Sequence, residues 1–473
     1  MPTMATEAEL RAQVSVLANE LEVPGVAVGV VSGDDDHAAF HGVTSVEDPL
    51  PVDENTLFQN GSTGKTYTST AILRLVERGE MDLDAPVRTY VPELKLKDDQ
   101  VARDVTLLHL LNHTAGWDGD LFENTGEGDD ALDRYVARMA TIEQVTPLGA
   151  TVSYNNASLG LAGKALEHVT GKVYEDVIRE LVFEPLGMSR NYYFAKEIMT
   201  YRFAQGHKQN QDGSIEVTRP WELGRYGNPM GGAVTTVADQ LTWARFHMGD
   251  GTAKDGTRVL SEQMLRRMQQ PTVECPGNAL GDAVGISWLL RDVEDLRVVA
   301  HGGDTSGQHS TFEMVPAKRF AVTSLTNCGP NGGEFNERIT RWAFEAYLGV
   351  EVKDPEPLRL DDDVLAEYAG RYETIAAIAD LTAADGLLII DVTIRPEVLE
   401  QLGEDAADEP PVPIGILPGD GDRYIVPEGP AKGMKGYFTR DESGKIDGIH
   451  LGGRYAEREI GRASCRERVS FLV

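Results

Sequence analysis

Asn60-Gly61-Ser62-Thr63-Gly64-Lys65-Thr66 is followed by the apolar run Ala71-Ile72-Leu73 and so reads as the opening of a helix. Residues three apart on a helix share a face. Lys65 is therefore predicted to reach the Ser62 hydroxyl. Burial and neighbouring donors favour the neutral, proton-accepting form of such an amine, which makes a nucleophile beside its base. The chemistry implied is acyl transfer through a serine ester. A lone Ser-x-x-Lys is weak evidence, since residue frequencies produce about one in a chain this long. Two further motifs raise its weight.

Tyr154-Asn155-Asn156 precedes a predicted helix that stops near Gly171. A tyrosine hydroxyl beside an ammonium group can relay the serine proton to the leaving group, while the Asn156 amide orients the substrate carbonyl. His301-Gly302-Gly303-Asp304 follows the strand-like Leu296–Ala300 and precedes a second strand signal within Gln308–Val315. Its glycines allow close approach of a substrate to backbone. A backbone N–H near Asp304 can then join the Ser62 N–H as an oxyanion hole.

In this order the three motifs resemble those of the serine β-lactamase and penicillin-recognising superfamily, in its class C lactamase, DD-peptidase and esterase branch. The resemblance extends to Gly79–Val87, Thr106–Gly116 and Gly231–Leu241, and covers roughly residues 8 to 350. It implies an α/β (α+β) β-lactamase/transpeptidase-like fold: an antiparallel sheet flanked by helices, with a helical subdomain. It also implies catalytic roles for Ser62, Lys65 and Tyr154, and substrate or oxyanion contacts from Asn156, His301, Gly302, Gly303 and Asp304. Lactamases and DD-peptidases mostly carry lysine where this chain has His301. A neutral imidazole holds a carboxylate less strongly, so a carboxylesterase-like acyl hydrolase is expected ahead of a β-lactamase or D-amino-acid peptidase. A catalytically silent ligand-binding homologue is the alternative of another class, and the presence of every reactive position argues against it.

Competing motifs fail on single residues. A phosphate-binding loop needs glycine where Gln59 stands, and an α/β-hydrolase elbow needs glycine at Asn60. His109 and His113 are spaced i, i+4 without an adjacent Glu and read as structural. Cys275 and Cys328 are too few for a zinc cluster and read as buried free thiols of a reducing compartment. No metal and no cofactor is expected. The partner is a small-molecule ester, amide or peptide, and the sequence is silent on oligomeric state.

The 473 residues, 41% hydrophobic, suffice for more than one core. The acidic start lacks a signal pattern, and no run of about 18 apolar residues spans a bilayer, so a cytoplasmic location is expected. The net charge is −32, and only 13 of 44 basic residues are lysine. Such a surface disfavours nucleic acid and anionic membranes and points to a high-salt setting, where screening relieves self-repulsion.

Hairpin signals at Gly25–Val31 and Ala38–Val43, then strand signals at 284–290, 296–300, 311–315 and 320–325, predict one sheet assembled from both ends of the domain. A closing helix is predicted over Phe335–Leu348. The domains are expected at 1–352 (hydrolase), 353–363 (acidic linker) and 364–458 (small β-barrel-like domain), with Gly403–Pro411 a solvated acidic loop. Residues 459–473 resemble the translation of a sequencing adapter and are read as a non-native tail.

Overall fold

The computed structural model describes residues 5–459 except 211, 222, 397, 399–409, 420 and 430. The acidic loop Gly403–Pro411 and the adapter-like tail fall almost wholly outside the described residues. Two compact units are present: residues 1–276 with 281–353, and 277–280 with 354–473.

The first unit is built on an antiparallel sheet in the order β2-β1-β8-β7-β6-β5-β4-β3. The strands are β1 (Gly25–Ser32), β2 (Asp35–Gly42), β3 (Val273–Asn278), β4 (Gly281–Val284), β5 (Leu289–Val293), β6 (Leu296–Thr305), β7 (Gln308–Val315) and β8 (Phe320–Thr326). β1 pairs with β8 from Val26↔Thr326 to Ser32↔Phe320, which joins the two ends of the unit. Strand alternation divides β1 between two cores. Val26, Val28 and Val30 face α1 (Glu7–Glu20) and the closing helix, with Leu10, Val14, Leu17, Phe335 and Ile339. Ala27 and Val31 face the larger core, which holds Tyr67, Ile72 and Trp243. Gly29 on that face lies so close to Val237 and Leu241 that a Cβ would stand 2.8 Å from Val237 Cγ1.

Two sequence expectations are corrected in detail. The run 284–290 is not one strand: it breaks between β4 and β5, where Ser287 takes φ +56° and donates its N–H to the Leu111 carbonyl. β3 lies ahead of it, unforeseen, since Val273–Asn278 contains Pro276 and Gly277, both poor strand formers. The closing helix starts earlier than its apolar stripe, at Asn331, and loosens into a wider final turn at Phe344–Leu348 before Gly349 ends it at φ +71°.

Helices occupy the long connection between β2 and β3. They include α2 (Lys65–Glu77), α3 (Asn156–Thr170), α4 (Tyr174–Ile178), α5 (Asn228–Gly231) and α6 (Val237–Met248). α3 is capped at its start by the Asn155 side chain, which accepts from Ser158 N, and stopped by Gly171 at φ +68°. No helix among the described residues is long and apolar enough to cross a membrane.

The second unit is a closed eight-stranded antiparallel barrel running from Gly370–Glu373 to Arg454–Arg458, whose first and last strands pair. Tyr372, Leu388, Ile390, Ile414, Tyr424, Phe438 and Ile449 fill it. The Tyr424 hydroxyl is satisfied inside by the His450 carbonyl at 2.7 Å. Cys275 and Cys328 are free and buried.

Candidate active site

The chain reaches Ser62 through a single tight turn, Gly61–Gly64, that leads directly into α2. Gly61 has φ +49°, a conformation only glycine adopts easily. A Cβ there would stand 2.6 Å from Asp304 N, so β6 passes backbone against backbone beside the turn. The same crowding holds from the other strand: a Cβ on Gly303 would meet Asn60 O at 2.2 Å and Ser62 N at 2.5 Å. Glycine at both positions is what allows the Ser62 and Asp304 amides to lie side by side. Below them, Ser310 Oγ donates to the Asn60 carbonyl at 2.8 Å and Thr63 Oγ1 lies 3.2 Å from Ser310 Oγ, tying the turn to β7.

Lys65 is fully buried. Its Nζ stands 2.9 Å from Ser62 Oγ and donates to the Met230 carbonyl at 2.6 Å. It also lies 4.9 Å from the centre of the Tyr154 ring. Ser62 and Lys65, from the turn and the first residue of α2, and Tyr154, from the stretch before α3, thus come from two segments into one cluster. Met230 belongs to α5, and the following Gly231 packs against the Ser62 turn, where a Cβ would stand 2.8 Å from Gly61 C. α5 is held in turn from below: Asn228 Nδ2 donates to Glu175 Oε1 at 2.6 Å, and Arg225 forks onto both Glu175 oxygens at 3.1 Å. Arg225 and Glu175 are 10% and 4% exposed, so this is a buried, fully engaged ion pair.

Tyr154 packs on His113, with ring centres 4.5 Å apart. His113 has φ +61°, and its Nδ1 accepts the Asn155 N–H at 3.2 Å. It thereby supports both the tyrosine ring and the residue after it. Asn156 opens α3 with its Nδ2 on Asp120 Oδ1 at 3.0 Å. Gly119 lets that loop approach, its carbonyl accepting from Asn156 N and Ala157 N.

His301 is 2% exposed, 6.3 Å from the Tyr154 ring centre to centre. Burial, reinforced by the Lys65 charge, holds its imidazole down to about 3, and it is neutral at any ordinary pH. Gly302 faces the other way, with its space bounded by the Ser310 carbonyl. The Asp304 side chain turns outward, 79% exposed, onto His309 Nδ1 at 2.6 Å, leaving its backbone to the site. No group of three or more His, Cys, Asp or Glu that could hold a metal occurs among the described residues.

The sequence motifs did not disclose the Met230 carbonyl, His113 or Asp120. A backbone acceptor has no residue signature. The glycine pair Gly231-Gly232 next to Met230 was the available signal of a close approach. His113 was visible as one of two helix-spaced histidines inside the Thr106–Gly116 stretch, with no sign of its contact to Tyr154.

A model of the family described as beta-lactamase matches residues 10–347. Penicillin-binding protein 4 of Amycolatopsis lactamdurans is 33% identical over 365 residues, 76% of this chain and 95% of that protein. Esterase EstB of Burkholderia gladioli is 33% identical over 180 residues, 35% of this chain and 46% of that protein. Among solved structures, that of SurE with D-Leu aligns over 96% of this chain and 99% of its own with TM-score 0.74 and 22% identity. The chain belongs to the beta-lactamase family of serine hydrolases.

Proposed function

We propose that Ser62 is the nucleophile of a carboxylesterase-like acyl hydrolase. Lys65, with Tyr154, takes the Ser62 proton as Oγ attacks an ester or amide carbonyl. The Ser62 and Asp304 N–H groups receive the developing oxyanion. Tyr154 returns the proton to the leaving atom, and water then releases the acyl-serine. The observation that carries this proposal is Lys65 Nζ at 2.9 Å from Ser62 Oγ, with a carbonyl holding the amine's other side. Donation to the Met230 carbonyl holds Nζ beside the hydroxyl whose proton it takes in this cycle. The neutral His301 supports an ester over a carboxylate-bearing lactam, since no cation is supplied at that position.

The second reading is a β-lactamase or D-amino-acid peptidase, as the family resemblance implies; a β-lactam ligand is supported by the relative named penicillin-binding protein 4, which this chain covers almost end to end. The acidic, lysine-poor composition supports work in a salt-rich cytoplasm.

The test is hydrolysis of p-nitrophenyl butyrate, a chromogenic cephalosporin and a D-alanyl p-nitroanilide by wild type and Ser62→Ala in molar salt. Ester turnover lost in the variant, with the cephalosporin intact, is expected. Turnover that survives Ser62→Ala would remove the nucleophile assignment.

A further inference from the structure

Asn60, which leads into the Ser62 turn, is fixed at three points. Its N–H donates to the Ala233 carbonyl at 3.1 Å, its carbonyl accepts from Ser310 Oγ at 2.8 Å, and its Nδ2 donates to the Tyr67 hydroxyl at 3.1 Å. Tyr67 lies on α2, and its oxygen accepts from a second amide, Gln240 Nε2 of α6, at 2.6 Å. That amide also reaches Thr235 Oγ1 at 3.2 Å. Asn60, Tyr67, Gln240 and Thr235 are all buried. An amide–phenol–amide chain thus runs from the nucleophile turn through α2 to α6.

Two observations separate this chain from ordinary packing. It is a poor device for stability, because its polar groups stand in an apolar core, with Trp243 and Phe183 edge-on to the Tyr67 ring at 4.8 and 5.2 Å. Asn60 Oδ1 is shielded from solvent and has no hydrogen-bond partner among the described residues. A buried acceptor left unpaired is costly, whereas apolar side chains of the same shape would fill this space with little or no loss. The chain is also unable to move a proton: burial pushes the Tyr67 phenol well above its ordinary value, and carboxamides do not titrate. What remains for it is geometry. Asn60 is followed directly by Gly61 at φ +49° and then by Ser62, so a rotation of the Asn60 backbone would carry the Ser62 amide away from that of Asp304.

We propose that Tyr67 is a positioning residue: its hydroxyl, itself held by Gln240, fixes the Asn60 amide and through it keeps the Ser62 N–H and Oγ in register with the Asp304 N–H. The proposal rests on the acyl-serine reading of Ser62.

Tyr67→Phe and Asn60→Leu, singly and together, test it with p-nitrophenyl butyrate in molar salt. Each single variant should lower kcat about tenfold with KM unchanged, since the stabilisation lost is made only in the transition state. Outright removal of an oxyanion donor costs more, about 10²–10³-fold. The double variant should lose no more than either single one, because both groups act through one contact. Its thermal midpoint should equal or exceed that of wild type, because both polar ends leave together and Gln240 keeps Thr235. A merely structural role would do the reverse, lowering the midpoint and leaving kcat per folded molecule intact. Tyr67→Phe with kcat within twofold of wild type, a change confined to KM, or losses that add in the double variant each overturn the proposal. Should Asn60→Leu not fold, Tyr67→Phe, which removes a single oxygen atom, decides through its kcat and KM alone. Wild type with no Ser62-dependent turnover, and no labelling of Ser62 by a fluorophosphonate, overturns the acyl-serine reading itself and this proposal with it.

Discussion

Gly302 and Gly303 are neighbours of the same residue type on one strand, and the structure assigns them opposite tolerance. A methyl group on Gly303 would sit 2.2 Å from Asn60 O and 2.5 Å from Ser62 N. Carbon and oxygen need more than 3 Å, so β6 and the Ser62 turn must separate by roughly 1 Å. Displacements of that size at a reacting centre cost about 10²-fold in rate, and here they also pull apart the Ser62 and Asp304 amides. On Gly302 the nearest atom is Ser310 O at 3.3 Å, which a few tenths of an ångström of relaxation accommodates. Neither residue has positive φ, so the contrast is one of space alone. Gly303→Ala should therefore lower kcat on p-nitrophenyl butyrate by about two orders of magnitude, and Gly302→Ala by no more than a few-fold. Circular dichroism and thermal midpoints of both variants separate this effect from unfolding. A folded Gly303→Ala protein within threefold of wild type would show that the close backbone approach does not build the oxyanion site.

Removing Glu175 takes the carboxylate from the Asn228 amide and leaves Arg225 to Asp129 and the Glu127 carbonyl. Glu175→Ala should cost about 3 kcal/mol, measured by urea unfolding, and should slow turnover through α5 and its Met230 carbonyl; an unchanged midpoint would mean Asp129 alone satisfies Arg225. His247 is fully buried among Trp243, Phe246 and Trp288, both ring nitrogens without partners among the described residues, and burial holds it down to about 3. The folded protein then binds fewer protons than the unfolded chain between that value and the unfolded pKa near 6.5, so stability is full above 6.5 and falls as pH drops through this window. His247→Phe should lessen that loss by about 2 kcal/mol at pH 5, and an unaltered pH dependence would contradict it. With net charge −32, the thermal midpoint should drop on dialysis from molar salt into dilute buffer, as screening is withdrawn; equal midpoints would end the high-salt assignment.

The strand pattern around Gly25–Val31 and the helix ended by Gly171 were legible because one-dimensional periodicity and glycine stops survive into the fold. Lys65 beside Ser62 was legible for the same reason, since helical spacing is a local property. What was not legible is whatever depends on two distant backbones meeting. The Met230 carbonyl on Lys65 and the Arg225–Glu175 support beneath α5 join segments 50 or more residues apart, the first through a main-chain atom. Asn156 was read as facing substrate; the hydrogen bond from its Nδ2 to Asp120 was not legible, because that partner lies in an irregular loop with no periodic signal.

The pairing of β1 with β8 has a consequence for synthesis. The strand that opens the sheet leaves the ribosome nearly 300 residues before its partner, and Ser62 precedes Asp304 by roughly 240. At typical elongation rates that interval is on the order of ten to fifty seconds. Throughout it β1 exposes an apolar run, GVAVGVV, with unpaired main chain on the side later taken by β8. The nascent chain therefore carries an aggregation-prone strand before it carries Ser62, and the acyl-transfer site proposed there is complete only once the far end of the domain has emerged.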